Sequence, residues 1–246
     1  MSPLDQPERR SDGEVVALEA QAQPHAGAEQ ADRASNDRLT RMGDRLVLGI
    51  ARHWLALFNL AVFVYVAVPF LAPVLMKVGA TGAARIVYTV YSPACHQLPD
   101  RSYFLFGEQP VYSLQELEDA NVLPSTFILD RRKYIGDDTL GYKVALCERD
   151  VAIYGAVLLG GLLFGLLRER VPKLPFKVYL LFLVPVALDG FSQLFGFRSS
   201  NWWLRTITGA LFGLATVWLA YPYIQESMAD IRRDIERKLA GTAGDA

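Results

Sequence analysis

Four apolar blocks, separated by charged segments, constrain the fold of this chain more than any other feature. The blocks are between 17 and 23 residues long. A helix of about 20 residues crosses the roughly 30 Å hydrocarbon core of a bilayer. The sequence therefore predicts an all-α membrane protein, and the four transmembrane helices are expected at about 54–76, 151–167, 178–195 and 204–224.

The segments outside this membrane domain, which spans 45–224, have a different composition. Residues 1–44 are rich in Ala, Gln, Glu, Asp and Arg. They contain too few bulky apolar side chains to offset the entropy of ordering, which predicts a disordered tail. Residues 225–246 are predicted to be an amphipathic tail that extends the last span, because apolar residues recur there at steps of three or four. This tail could lie along the membrane, pair with another copy or serve packing alone.

Positive charges predict the orientation in the membrane. Lys and Arg cluster before the first span, between the second and third spans, and after the fourth: Arg38, Arg41, Arg45, Arg52, Arg168, Arg170, Lys173, Lys177, Arg232, Arg233, Arg237 and Lys238. The positive-inside rule places such clusters on the cytoplasmic side. We therefore expect a multi-pass protein of the cell membrane with both termini cytoplasmic. The N-terminal segment lacks the short apolar core of a signal peptide, so the first span is expected to act as a signal anchor.

The long segment 77–150 is predicted to form a small ordered cap on the extracytoplasmic side. Residues 83–92 are apolar but too short to span, which favours an interfacial helix. Residues 113–116 have the capping-box spacing and predict a short helix. Residues 126–135 and 142–146 have β-rich character and suggest a hairpin.

The two cysteines lie in polar strings of this cap, which are predicted to be at the outer membrane interface. Cys95 begins CHQLPDRS and Cys147 begins CERD. In the predicted topology both face an oxidising compartment, where a disulfide would close a loop of about 50 residues and contribute about 4 kcal/mol. Two alternatives remain open: a metal site formed by Cys95, His96, Cys147 and Asp150, or two unlinked thiols. No other cofactor is expected.

Polar residues inside the third span indicate a buried contact. Asp189 and Gln193 are four residues apart and share one helix face. A carboxylate at this depth is costly and requires a partner, for which Arg205 is the expected residue, with Arg198 and Asn201 nearby. A purely structural clamp between two helices is the alternative.

Small residues predict which spans pack together. Gly161 and Gly165 in the second span, and Gly209 and Gly213 in the fourth, have small-xxx-small spacing. We expect the second and fourth spans to pack through them.

Polar residues from distant segments are predicted to meet at the outer membrane boundary. The candidate site consists of His96, Arg101, Arg149, Asp150, Asp189, Gln193, Arg198, Asn201 and Arg205. In this set, basic residues outnumber carboxylates, which favours an anionic ligand such as a lipid phosphate.

Three strings resemble a known family. They are SPACHQLPDRSYFLFG at 92–107, GYKVALCERDVAIYG at 141–155 and LDGFSQLFGFRSSNWWLRTITGALFG at 188–213. They are similar to the prokaryotic integral membrane family catalogued as domain of unknown function 2085, and the resemblance extends over about 83–221. It implies a prokaryotic membrane protein and no particular activity. The third string is also loosely similar to the VanZ-like family, which adds slight support for a role near lipid or cell-wall intermediates.

Three functions are compatible with these features. The first is binding, or acting on, an anionic lipid or cell-envelope molecule at the outer leaflet. The second is a small transporter or channel with Asp189 on its path, which would need a homo-oligomer. The third is a scaffold or assembly factor without catalysis. The sequence shows no nucleophile–base set or phosphate-binding loop, so it names no reaction. A net charge of −1 gives no reason to expect nucleic acid as a partner.

Overall fold

The protein is described by a computed structural model that covers residues 12–123, 127–196 and 201–244. The described residues form two units, one of those up to Arg52 and from Ala229 onward, and the other of those between His53 and Met228. The elements in chain order are α1 (Asp12–Lys77), α2 (Thr81–Tyr91), β1 (Ser102–Leu105), α3 (Leu114–Asp119), α4 (Ile128–Arg131), β2 (Gly136–Asp137), β3 (Gly141–Cys147), α5 (Glu148–Leu167), α6 (Phe176–Leu194) and α7 (Trp202–Gly244).

Four helices are long and apolar enough to cross a membrane. They are residues 38–77 of α1, the whole of α5 and α6, and residues 202–241 of α7. Each contains one of the apolar blocks, so the prediction of four spans is confirmed. Hydropathy and length were sufficient for this prediction because a span must satisfy all of its backbone hydrogen bonds within its own helix.

Aromatic side chains join α1, α5 and α7 in the larger unit. Trp54, Phe164 and Tyr221 are buried and pack edge to face, with the rings of Trp54 and Tyr221 centred 5.5 Å apart. The indole N–H of Trp54 donates to the side-chain oxygen of Gln225 at 3.0 Å. The polar edge of the indole is therefore satisfied although its ring is buried.

Glycines allow α5 and α7 to approach closely, as the small-xxx-small spacing predicts. A Cβ on Gly213 would lie 2.4 Å from the carbonyl oxygen of Ile153, and one on Gly209 would lie 2.9 Å from that of Arg149. On the α5 side, a Cβ on Gly160 would lie 3.3 Å from the Val217 side chain. The fourth span therefore packs through Gly209 and Gly213, as predicted. On the second span the prediction is wrong in detail: Gly160 faces α7, whereas a Cβ on Gly161 or Gly165 would first meet Asn59 or Leu55 of α1.

The cap contains an antiparallel sheet with strand order β1-β3-β2. A hairpin is present, but its first strand is Gly136–Asp137, which was predicted as the turn, and not residues 126–135. Residues 128–131 are helical instead, and the run of charged residues that follows cannot supply the alternation that a strand needs. Strand β1 was not predicted. The short helix α3 has its capping box, formed by Ser113 and Glu116.

Helix α2 is attached to the central strand of this sheet. The Tyr88 hydroxyl donates to the Lys143 carbonyl at 2.5 Å, and the side chains of Tyr88 and Tyr91 are buried. The segment expected to lie at the membrane interface is therefore also part of the core of the cap.

Lys143 in β3 is fully buried and has no exposed surface. Its Nζ donates to the carbonyl oxygens of Gln97 and Arg132, each at 2.7 Å. Burial, reinforced by the charge of Arg132, lowers the pKa of Lys143 to about 7. A neutral amine has two hydrogens, which matches these two acceptors.

The smaller unit joins the first part of α1 to the end of α7. Arg52 pairs with Glu236 and Lys238 pairs with Asp44, both at 2.8 Å. Helix α1 begins at Asp12, within the segment whose composition predicts disorder. The same composition is rich in good helix formers, so a helical backbone there does not require a packed core. The predicted disorder of 1–44 stays a prediction.

Substituting Gly213 with Ala should separate α5 from α7. The new Cβ meets a backbone oxygen, which cannot move without shifting the helix, so we expect a loss of about 1–3 kcal/mol of stability. Thermal unfolding in detergent measures it. Gly155→Ala is the matched control, because a Cβ there meets nothing within 4 Å. Equal melting temperatures for the two variants would contradict the close packing.

Stability should rise with pH between 7 and 9 because of Lys143. Its folded pKa of about 7 lies below the unfolded value of about 10.4, so the unfolded chain binds more protons in this window. The gain approaches about 1.4 kcal/mol per pH unit for this single group. We expect Lys143→Met to remove the rise and the exposed-site control Lys133→Met to keep it, as measured by denaturation in detergent. The same slope in both variants would show that Lys143 is not the cause.

Candidate functional site

The site is organised by the turn at residues 147–150, called here the hub turn, where β3 ends and α5 begins. Cys147 is the extended N-cap residue of α5, and Glu148 and Asp150 lie in its first turn. Carboxylates are stabilised at this position by the helix dipole. Glu148 and Arg149 pair with side chains of other helices, and Cys147 and Asp150 lie beside Cys95.

Two ion pairs connect the hub turn to the other spans. Glu148 Oε2 pairs with Arg205 Nη1 of α7 at 3.1 Å, and both side chains are at least 93% buried, with exposures of 2% and 7%. Arg149 pairs with Asp189 of α6, whose side chain is 1% exposed. One turn of α5 therefore holds both α6 and α7 through buried charges.

The predicted partner of Asp189 was wrong. The sequence favoured Arg205, but Arg205 pairs with Glu148 and also donates to the Asp100 carbonyl at 3.3 Å. Asp189 pairs instead with Arg149. Glu148 was missing from the predicted site although it stands beside Cys147 in the sequence. Its position in the first turn of a helix was the available signal.

The Cys-His-Gln string at residues 95–97 lies against the hub turn, and its side chains alternate between buried and exposed. Cys95 and Gln97 are buried and His96 is exposed. Gln97 has a φ of 52°, in the left-handed region, and its Nε2 donates to the carbonyls of Tyr88 (2.8 Å) and Ala145 (3.1 Å). Sequence reasoning missed Gln97, which fixes the position of the string by bonding α2 and β3 together.

The two cysteines are neighbours but free thiols. Their sulfur atoms and an Asp150 carboxylate oxygen all lie within 4.8 Å of one another. Cys95 Sγ accepts hydrogen bonds from the backbone N–H groups of Cys147 at 3.1 Å and Gln97 at 3.5 Å. The structure does not support the predicted disulfide. The two sulfurs are close, as a disulfide would require, but proximity does not require a bond, because two N–H groups satisfy Cys95 as a thiol.

The environments of the two thiols differ. A hydrogen bond from the Cys147 side chain, helped by the N–H of Gln97, lowers the pKa of Cys95. The same thiol–thiol bond and burial raise the pKa of Cys147. Cys95 is therefore the sulfur that more readily exists as a thiolate.

A cavity of about 300 Å³ opens beside these groups. Six of the predicted site residues line it: His96, Arg101, Arg149, Asp150, Gln193 and Arg205. The ring of His96 does not belong to the close group of Cys95, Cys147 and Asp150. A second cavity of about 360 Å³ shares four of these residues and adds apolar walls from Ile128 and Leu194. The two cavities therefore share polar side chains, and the second has the more apolar lining.

Asn201 and Arg198 are not among the residues that line these two cavities. Asn201 lines a different cavity of about 420 Å³, together with Trp202 and Trp203. Arg198 falls outside the described residues.

The charge balance differs from the expected basic excess. Arg101, Arg149 and Arg205 pair with the carboxylates of Asp100, Asp189 and Glu148, respectively. Asp150 adds a fourth carboxylate to the cavity lining. Neither Asp100 nor Glu148 belonged to the site predicted from the sequence. Within the described residues, the site is thus composed of ion-paired arginines rather than of an uncompensated basic cluster.

The paired arginines nevertheless retain donors. The Nε atoms of Arg149 and Arg205 are buried and have no hydrogen-bond partner among the residues that the structure describes, and that of Arg101 lies 3.6 Å from Asp100. Buried donors without partners are rare and costly.

Comparison with known proteins agrees with this architecture. A family model described as "Predicted membrane protein" (DUF2085) matches residues 139–219, which contain the hub turn, Asp189 and Arg205. An uncharacterised protein of Methanocaldococcus jannaschii is 32% identical over 164 residues, covering 64% of this chain and 83% of the relative. No solved structure matches. The looser similarity to VanZ-like proteins stays a prediction. The chain belongs to the membrane-protein family known as domain of unknown function 2085.

Proposed function

We propose that this membrane protein binds the anionic head group of a lipid or of a cell-envelope amphiphile. The observation that supports this most is the meeting of three arginines from three chain segments around one cavity. Arg101 precedes β1, Arg149 lies in the first turn of α5 and Arg205 lies near the start of α7. Guanidinium groups present several fixed donors and suit phosphate and carboxylate oxygens.

The carboxylates do not remove this capacity; they orient it. Asp189 and Glu148 each hold one nitrogen of a guanidinium in place, so the side chain pays little further entropy on binding. The remaining Nε donors of Arg149 and Arg205 are buried near the cavity and lack partners among the described residues. A ligand oxygen would satisfy them.

The apolar second cavity favours an amphiphile over a free anion. Ile128 and Leu194 contribute to its walls, and it shares Arg101 and Arg149 with the polar cavity. Helix α6 also has exposed apolar side chains, among them Leu188 (66% exposed) and Leu194 (75% exposed), and Leu194 lines this cavity. A chain attached to a head group in the polar cavity would meet an apolar surface. Transport and scaffolding stay predictions, and no reaction is assigned.

The test uses a variant that removes the arginine without leaving a buried unpaired carboxylate. In Arg149→Gln with Asp189→Asn, both members of the pair are replaced by neutral groups of similar size. We expect short-chain phosphatidylglycerol to stabilise the wild type in neutral detergent, as measured by native mass spectrometry and thermal shift. The double variant should bind at least about tenfold more weakly, corresponding to about 1.4 kcal/mol.

Two controls make the result specific. Phosphatidylcholine of the same chain length should stabilise neither protein, because its choline adds a cation beside the phosphate. Arg85→Gln, an exposed arginine on α2 outside the cavity, should bind like the wild type. Equal affinity of the double variant and the wild type for phosphatidylglycerol would refute the proposed site.

A further inference from the structure

The group formed by Cys95, Cys147 and Asp150 has the composition and spacing of a metal-binding site, which goes beyond the proposed head-group site. Its three ligand atoms lie within 4.8 Å of one another. Around a tetrahedral ion with bonds of about 2.0–2.3 Å, ligand atoms are separated by roughly 3.3–3.8 Å. Small side-chain adjustments would therefore suffice to place an ion between them.

We propose that Cys95, Cys147 and Asp150 bind one divalent transition-metal ion of the zinc class, through two sulfurs and one carboxylate oxygen, with the fourth coordination position open to the cavity. Thiolate ligands select such ions over Mg²⁺ and Ca²⁺, which prefer oxygen. Binding releases the thiol protons, because the thiolates are the ligands.

The carboxylate of Asp150 is distinct from the others in the site. Asp100, Glu148 and Asp189 each face an arginine within 4.0 Å. Within the described parts of the chain, Asp150 forms no such ion pair, and its carboxylate lies within 4.8 Å of both sulfurs. A cation at this position would neutralise a cluster that the arginines leave unpaired.

The surroundings of Cys95 support a ligand role rather than a merely packed thiol. Two backbone N–H groups, of Cys147 and Gln97, already point to its sulfur. Hydrogen bonds of this kind fix metal-bound sulfur and tune its charge. The donors of these bonds are backbone N–H groups. The Gln97 side chain holds the segment around Cys95 against α2 and β3. The ligand is therefore positioned before an ion arrives.

The cavity supplies access and a free coordination position. Cys95, Cys147 and Asp150 all line the cavity of about 300 Å³, so an ion can reach them from its open side. Structural zinc sites close all four positions with protein ligands, whereas sites that bind or activate a further ligand keep one open. Three protein ligands beside a cavity correspond to the second kind.

The experiment measures metal in protein purified without chelators from membranes. Inductively coupled plasma mass spectrometry should find about one zinc ion per wild-type chain. When Co²⁺ replaces the zinc, the protein should show the intense sulfur-to-cobalt absorption band of thiolate ligands. Cys147→Ser and Asp150→Asn should each lower metal affinity at least about tenfold in a competition titration with a chelator. Asp119→Asn, at an exposed position of α3, should leave the metal affinity unchanged.

Two further variants separate this site from its neighbours. His96→Ala should retain the ion, because the exposed ring lies outside the group of three ligands. The Arg149→Gln/Asp189→Asn variant should also retain the metal ion, even if it no longer binds the anionic lipid. The metal site and the head-group site can therefore be refuted separately. If cysteine variants do not accumulate, the wild-type metal content and cobalt spectrum decide. A metal-free wild type that takes up no Co²⁺, or a Cys95–Cys147 disulfide in freshly isolated protein, overturns the proposal.

Discussion

The buried charges of the hub turn are the interaction on which the rest of the site depends. Glu148 and Arg149 are adjacent in sequence, yet one binds Arg205 of α7 and the other binds Asp189 of α6. Breaking a buried pair leaves an uncompensated charge at a cost of several kcal/mol. These pairs therefore specify one mutual position of α5, α6 and α7 at the end where the cap begins.

The same turn connects the membrane helices to the cap. Cys147 donates its N–H to Cys95, and β3, which ends at Cys147, is the central strand of the cap sheet. Gln97 then bonds the Cys95 segment to α2 and β3. A proposed metal ion and a proposed anionic head group would share one cavity because a single turn positions both the thiols and the arginines.

Sequence reasoning succeeded where one physical signal dominates. Hydropathy alone located the four spans, and small residues located the contact at Gly209 and Gly213. Six of the nine site residues predicted from the sequence line one cavity. Sequence reasoning failed where several partners compete: Arg205 was available to Asp189 and to Glu148, and only geometry decides between them. The inward direction of Gln97 and the burial of Lys143 were likewise invisible, because both depend on contacts with carbonyl groups of distant segments.

A double-mutant cycle on Glu148 and Arg205 tests most directly whether the hub turn holds the spans together. Unfolding in detergent is measured for Glu148→Gln, for Arg205→Gln and for both together. Each single change should cost about 3–5 kcal/mol because it leaves a buried charge unpaired, and the double variant should recover at least about 2 kcal/mol of the summed loss. Losses that add within about 0.5 kcal/mol would show that the two charges are not coupled and would contradict this account.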